Sequence, residues 1–286
     1  MKSLEITDSP SLAATFFRAL GTGSKRPGLV KSLPPVELVR PLVVLEANHI
    51  AQYAALCGFK GSEGVPLIYP QLLTFPLVSA YVSSQECPWP AMGTVHLANA
   101  VTQHQPLRAG DAVRVELAAG DLLVHDKGQV FTLNLRILRD DVLVWSATQS
   151  LLRVGVKQTS GAPYVSRLAK DIPLSCQTEF SAATDLGRRY GAVSGDRNPI
   201  HLTALSAKLF GFKRAIAHGM WTNARALSSL LPKHPLEQAS LNVEFKTPLF
   251  LPGRATLWSS RSATGALFEV RDAKGQRPHL RGQLSY

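Results

Sequence analysis

Two stretches of this 286-residue chain repeat one order of patterns, and this repeat constrains the fold more than any other feature. The stretches run over about residues 30–156 and 170–286. Each has a short helical segment, then a longer apolar helical segment, then several runs in which apolar and polar residues alternate as in half-buried strands. Between the stretches lies a polar segment with Gly, Ser and Pro. We therefore predict two similar domains, at 1–156 and 170–286, with a linker at 157–169.

Related strings align the two halves. YAALCGF at 53–59 matches YGAVSGD at 190–196, and PLIYPQLL at 66–73 matches AIAHGMWT at 215–222. In each half a strand-like run then leads into a Pro-Leu pair followed by a Gly. A long apolar helix packed on an antiparallel sheet buries the apolar side of both, so the predicted fold class is α+β. Two unrelated α+β domains remain the alternative.

The order of elements resembles the hot-dog fold, in which an antiparallel sheet wraps around a long central helix. Two such repeats in one chain would make a double hot-dog. The resemblance implies a built-in dimer of repeats, and whole chains could pair further as a homodimer.

Composition and cysteine usage indicate a folded protein of a reducing compartment. The chain is 45% hydrophobic and 18% charged, and no apolar run reaches the roughly 18 residues that span a bilayer. The first residues contain Glu5 and Asp8, so we identify no signal peptide and no membrane partner. Cys57, Cys87 and Cys176 form no CxxC pair and are expected to be buried free thiols. A cytoplasmic location is the expectation.

The chain is basic, with a formal net charge of +11. A basic surface attracts polyanions, and nucleic acid is one candidate. The sequence has no Lys/Arg run and no zinc-finger or RNP-like motif, so we predict no nucleic-acid partner. A phosphorylated small ligand or an acidic carrier protein accounts for the charge equally well.

The candidate catalytic residues lie between Gly191 and Trp221. Asp196 and His201 are five residues apart, with Asn198 and Pro199 between them. Because Pro199 disfavours helix at the residue before it, this segment is predicted to be a turn that directs a carboxylate and an imidazole into one space. Gly219 would begin the following helix, and the N–H groups of a helix N-terminus suit a developing oxyanion.

These parts suit the addition of water to the double bond of a 2-enoyl thioester. Asp196 and His201 could hold one water between them and perform both proton transfers, while the Gly219 amide holds the enolate-like oxygen. The reaction needs no metal and no organic cofactor. Taken alone, Asp196 could be a turn residue and His201 a buried structural histidine. A metal site formed by Asp196, His201 and His218 is a further possibility.

The same segment resembles the motif of the MaoC-like dehydratase family, which includes the (R)-specific enoyl-CoA hydratases (hydratase 2). The matching strings are SGDRNPIH at 194–201, Ala207, the Gly211-Phe212 pair and AIAHGM at 215–220. The resemblance implies that Asp196 and His201 are the catalytic pair and that Gly219 supplies the oxyanion amide. The chain departs from the family pattern at Ala215, where Pro is usual, and at Thr203, where an acidic residue is frequent.

The first half lacks these groups. The alignment places Phe59 at the position of Asp196, Tyr69 at His218 and Pro70 at Gly219. Sixteen residues separate Tyr53 from Tyr69, whereas 28 separate Tyr190 from His218, so the segment bearing His201 has no counterpart. Pro70 has no N–H to donate. We predict that the first half binds the acyl chain, with Leu73 and Leu77 on one helix face.

The sequence therefore predicts a (3R)-3-hydroxyacyl-thioester dehydratase, or hydratase of trans-2-enoyl thioesters, of fatty-acid metabolism. The substrate would be an acyl-CoA or an acyl-ACP, and an acyl carrier protein is a possible partner. Asn198 and His218 are expected at the substrate-binding site, with His218 as a structural hydrogen-bonder. A hot-dog thioesterase and a non-catalytic acyl-thioester binding subunit are the competing predictions.

Overall fold

The computed structural model describes residues 2–6, 21–25, 30–61, 64–91, 93–156, 161–168 and 173–286. Residues 157–160 and 169 of the predicted linker lie outside these ranges. The chain divides into two compact units. Unit 1 comprises Met1–Val44, Pro70–Gln105 and Asp111–Ser166, and unit 2 comprises Leu45–Tyr69, Pro106–Gly110 and Arg167–Tyr286.

Unit 1 is a sheet around one long helix, α2 (Pro70–Ser83). Its strands are β1 (Lys2–Glu5), β2 (Val36–Val44), β3 (Thr94–Gln103), β4 (Ala112–His125), β5 (Gly128–Arg139), β6 (Val142–Val154) and β7 (Ala162–Pro163). They are ordered β1-β2-β4-β5-β6-β3, with β7 paired to β4. All pairs are antiparallel except those of β1 and β7.

Unit 2 contains most of the helices. These are α1 (Ala47–Cys57), α3 (Leu186–Ser194), α4 (Pro199–Leu202), α5 (Ala204–Lys208) and α6 (Gly219–Leu230). Its strands are β8 (Ser175–Ala182), β9 (Ala239–Phe245), β10 (Gly253–Ser262), β11 (Gly265–Asp272) and β12 (Pro278–Ser285). They form an antiparallel sheet in the order β8-β10-β11-β12-β9.

The two units share one topology. In each, the strand before the long helix lies at one end of a five-strand series and the strand after that helix lies at the other end. The order is β2-β4-β5-β6-β3 in unit 1 and β8-β10-β11-β12-β9 in unit 2. The helices α2 and α6 begin at Pro70 and Gly219, the residues that the sequence alignment pairs.

The segment 45–69 packs in a different unit from the one that its place in the sequence suggests. It precedes α2 in the chain, yet its helix α1 packs in unit 2 against α3 and α6. The indole N–H of Trp221 in α6 donates to the carbonyl oxygen of Leu56, at 3.2 Å. The proposed domain boundaries at 1–156 and 170–286 thus follow the repeat, while the contacts place α1 with the second unit.

Two smaller predictions need correction. Cys57 and Cys87 are buried, but Cys176 on β8 is exposed, because its position faces outward on an edge strand. The turn after Asp196 is shorter than predicted, since α4 already begins at Pro199. Proline suits the first helical position because its missing N–H would have no acceptor there.

Candidate active site

The turn that carries Asp196 is fixed by short-range hydrogen bonds. Helix α3 ends at Ser194, and Gly195 adopts a left-handed conformation with φ 78°. The Asp196 carboxylate accepts the backbone N–H of Asn198 through Oδ1, at 3.1 Å. The side-chain oxygen of Asn198 in turn accepts the N–H of Ile200, at 3.3 Å, and so caps α4. The observed role of Asn198 is to order this turn, and its predicted substrate contact stays a prediction.

His201 lies on α4, close against the preceding helix. A Cβ at Gly187 of α3 would come within 1.8 Å of the carbonyl oxygen of His201, so only glycine permits this approach. The side chain is buried, with 8% exposure, and Nδ1 lies 2.8 Å from the carbonyl oxygen of Ile216. Because a carbonyl only accepts, Nδ1 must carry the proton, and Nε2 is left with a lone pair. This is the tautomer that a general base requires.

His218 packs directly on His201. The two rings are stacked with centroids 3.7 Å apart and an interplanar angle of 24°. The Nε2–H of His218 donates to the backbone carbonyl of Asp196, at 2.8 Å, and lies 3.8 Å from the Asp196 carboxylate oxygen Oδ2. His218 therefore ties the Asp196 turn to the start of α6. Its Nδ1 is buried and has no hydrogen-bond partner within the described ranges.

Both histidines are held neutral. Burial lowers the pKa of His201, opposed by the Asp196 carboxylate and by the hydrogen bond to Ile216. Burial, with a smaller contribution in the same direction from the neighbouring His201 ring, lowers the pKa of His218 to about 3, against the opposing effect of Asp196. Near neutral pH the stack therefore presents one unprotonated Nε2, on His201, beside a carboxylate that is 32% exposed. A water held between these two groups would contact a nitrogen that can accept its proton and a carboxylate that can accept or return one.

Gly219 is the first residue of α6, and His218 caps it from an extended conformation. Its N–H is thus one of the helix's donors without an intrahelical acceptor. A Cβ at this position would meet the Phe245 ring of β9 at 2.7 Å, so the ring covers the residue closely. The positive end of the helix dipole adds to the attraction for a developing negative charge. The role of Gly219 as the oxyanion donor stays a prediction.

One residue of the site escaped the sequence analysis. His49 of α1 donates from Nε2 to the carbonyl oxygen of Val193, at 2.7 Å, and its Nδ1 accepts the hydroxyl of Tyr69, at 2.8 Å. Burial raises the pKa of Tyr69 to about 12, so the hydroxyl keeps its proton. Val193 lies three residues before Asp196, at the end of α3. His49 therefore holds the base of the turn that carries the carboxylate.

Three potential metal ligands come together here, but their orientation does not suit one ion. The ligand atoms of Asp196, His201 and His218 lie within 4.8 Å of one another. Imidazole lone pairs lie in the ring plane, and the planes of the two stacked rings are nearly parallel. Their lone pairs therefore do not converge on a single point about 2.0–2.1 Å from each, as zinc requires. The geometry fits proton transfer better than chelation.

Leu73 and Leu77 lie in unit 1, on α2. Both are buried, with 7% and 0% exposure, and they face the same side one turn apart. The guanidinium of Arg40 donates to the carbonyl oxygen of Leu73, at 3.1 Å. Their predicted contact with an acyl chain stays a prediction.

Comparison with known proteins agrees with this geometry. A family model described as MaoC like domain matches residues 165–270. The chain is 34% identical over 238 residues to 3-hydroxyacyl-thioester dehydratase X of Mycobacterium tuberculosis, covering 82% of this chain and 84% of that protein. The chain belongs to the MaoC-like dehydratase family. The residues matched in this MaoC-like dehydratase include Asp196, His201, His218 and Gly219, while His49 lies outside them.

Solved structures extend the likeness to the fold. The crystal structure of HtdX from Mycobacterium tuberculosis superposes with a TM-score of 0.72 at 30% identity, covering 87% of this chain and 98% of that one. A MaoC-like dehydratase from Phytophthora capsici gives 0.75 at 18% identity, over 91% and 98% of the chains. A further Mycobacterium tuberculosis protein, described as having a double hotdog fold, gives 0.52 at 13% identity over 90% and 96%. This MaoC-like dehydratase has the predicted α+β, double hot-dog fold.

Proposed function

We propose that the protein is a 3-hydroxyacyl-thioester dehydratase that interconverts (3R)-3-hydroxyacyl and trans-2-enoyl thioesters. One observation carries the proposal: His201 is fixed in the tautomer that leaves Nε2 basic, on the helix that begins directly after the turn with the partly exposed Asp196 carboxylate. The related dehydratase of Mycobacterium tuberculosis bears the name of this activity. None of the described helices is long and apolar enough to span a membrane.

The proposed chemistry uses only groups of this chain. In hydration, water loses a proton to the Asp196–His201 pair while its oxygen bonds to C3 of the enoyl group. The electron pair of the C2–C3 double bond moves onto the thioester oxygen, which accepts the Gly219 N–H. The Asp196–His201 pair then delivers a proton to C2, where the enolate electrons form the new C–H bond. Dehydration is the same path in reverse.

The thioester carrier is proposed to be coenzyme A or an acyl carrier protein. The net charge of +11 suits either the phosphates of the former or the acidic surface of the latter. A cytoplasmic location and further pairing of chains stay predictions.

The test is the loss of activity in Asp196→Ala and His201→Ala. Each change should reduce kcat for hydration of crotonyl-CoA by about 10²–10⁴-fold, the usual contribution of a positioned acid or base. The double variant should lose little more than either single variant, because both residues act on one water. Chiral analysis should show the (3R) product. Wild-type rates in folded single variants, verified by circular dichroism, or a (3S) product would refute the proposal.

A further inference from the structure

Asn223 has a buried amide group that forms no hydrogen bond within the described part of the chain. The residue is 0% exposed in the middle of α6. Neither Oδ1 nor Nδ2 makes a hydrogen bond to any described residue. Burying such an amide unpaired costs about 1–3 kcal/mol, and asparagine is also a poor helix former. Stability alone gives no reason for this residue at this position.

Asn223 lies one helical turn after the proposed oxyanion donor. Residues four apart share a helix face, so Asn223 follows Gly219 on the side that meets Phe245 of β9. Helical side chains lean toward the helix N-terminus, which brings the amide back toward Gly219. The distance along the axis is about one turn, roughly 5.4 Å. An acyl chain bound with its thioester at this donor, and running along the same face of α6, would pass the amide a few carbons beyond the thioester.

The equivalent position in unit 1 is different. The alignment of Pro70 with Gly219 places Thr74 at Asn223. Thr74 is also fully buried, but its hydroxyl donates to the carbonyl oxygen of Gln71, at 2.8 Å, and accepts the Gln71 side-chain amide, at 3.2 Å. The half without the Asp and His thus satisfies its polar side chain internally. The unpartnered amide occurs in the half that carries the site.

A carboxamide offers one donor and one acceptor side by side, and a hydroxyl group can engage both because it accepts and donates. An alkyl chain can engage neither. We propose that Asn223 binds a hydroxyl group on the acyl chain beyond C3, so that the preferred substrates are hydroxylated acyl thioesters. This inference rests on the proposed function, because it assumes that the acyl chain starts at Gly219.

The test compares two matched substrates, trans-2-octenoyl-CoA with and without a hydroxyl group at C5. The wild type should show a higher kcat/KM for the hydroxylated substrate. Asn223→Leu, which is close in size and lacks both polar atoms, should lower the ratio of the two kcat/KM values by about tenfold or more. Ser228→Ala is the matched control, since Ser228 is buried on the same helix but bonds internally to Arg225. Its ratio should stay at the wild-type value.

A melting curve without substrate separates binding from structure. Asn223→Leu should melt at or above the wild-type temperature, because an unpaired amide is removed. A lower melting temperature with an unchanged ratio would mean that a buried water completes the amide, and would overturn the inference. Asn223→Thr, the residue type of the first half, replaces the Leu variant if that does not fold. A wild type that hydrates neither substrate would refute the proposed function itself, whereas a working enzyme with equal ratios overturns the inference alone.

Discussion

Two neighbouring histidines differ in their proposed roles because each uses a different ring nitrogen for its hydrogen bond to a backbone carbonyl. His201 uses Nδ1 on Ile216, which leaves Nε2 available to the substrate side. His218 uses Nε2 on the carbonyl of Asp196, which leaves its remaining nitrogen buried. The first arrangement suits the proposed base, and the second ties the Asp196 turn to the start of α6. Burial keeps both rings neutral, so the stack does not bring two positive charges together.

The lowered pKa of His201 predicts the acid side of the pH profile. The base must be neutral, and an ordinary imidazole has a pKa of about 6.5. Since burial lowers the pKa in the folded protein, kcat/KM for hydration should stay level down through pH 6.5 and fall only at lower pH. Initial rates with crotonyl-CoA across this range measure the limb.

Asp196→Asn provides the control for that profile. The carboxylate raises the pKa of His201, so its removal should move the acid limb of the residual activity to still lower pH. An acid limb at or above pH 6.5 in the wild type would contradict the assignment of His201 as the base.

At the scale of secondary-structure elements, α1 supports the candidate site without carrying any of the residues proposed to be catalytic. His49 connects it to the last turn of α3, through Val193. The rings of Tyr53 and Tyr190 pack against each other 6.3 Å apart, and Tyr190 in turn packs on His218, at 4.8 Å. The helix therefore contacts the last turn of α3 directly, through His49, and is linked to the His218 ring only through Tyr190.

His49→Leu should lower kcat by about tenfold while KM changes little. The substitution removes the donor to Val193 and lets the Asp196 turn shift, and a misplacement of about 1 Å can cost up to 10²-fold in rate. Steady-state kinetics and a melting curve are measured together. His49→Gln, whose amide can also donate, should recover part of kcat. A lower melting temperature with wild-type kcat in His49→Leu would show a purely structural role.

At the scale of the whole molecule, the repeat was predictable because its signals are local. The strings at 53–59 and 190–196 mark corresponding helix ends, where Gly58 and Gly195 both adopt positive φ. Asp196, His201 and Gly219 were likewise found through spacing within one segment. His49 was not, because 144 residues separate it from Val193 and no local pattern connects them. The unpartnered state of Asn223 also depends on its whole surroundings, which spacing does not report.

The proposed division of labour between the repeats is tested by Leu77→Trp. If α2 contacts the acyl chain, the larger side chain should reduce kcat/KM for a long-chain 2-enoyl-CoA more than for crotonyl-CoA, because only the chain is obstructed. Leu77 has 0% exposure, so the change also overpacks the unit 1 core at a cost of about 1–3 kcal/mol. A lowered melting temperature with equal losses on both substrates would limit α2 to structural support.

The placement of α1 also bears on how such a chain can change over generations. A recombination event in the segment between the repeats would leave each copy with its full set of aligned sequence motifs. By sequence order alone, both copies would therefore be complete. The recombination would nevertheless divide unit 2, because residues 45–69 would leave with the first copy. The second copy would keep Asp196 and His201 but lose the histidine that holds their turn. Separating the two copies would therefore remove from unit 2 the helix whose histidine donates to the end of α3.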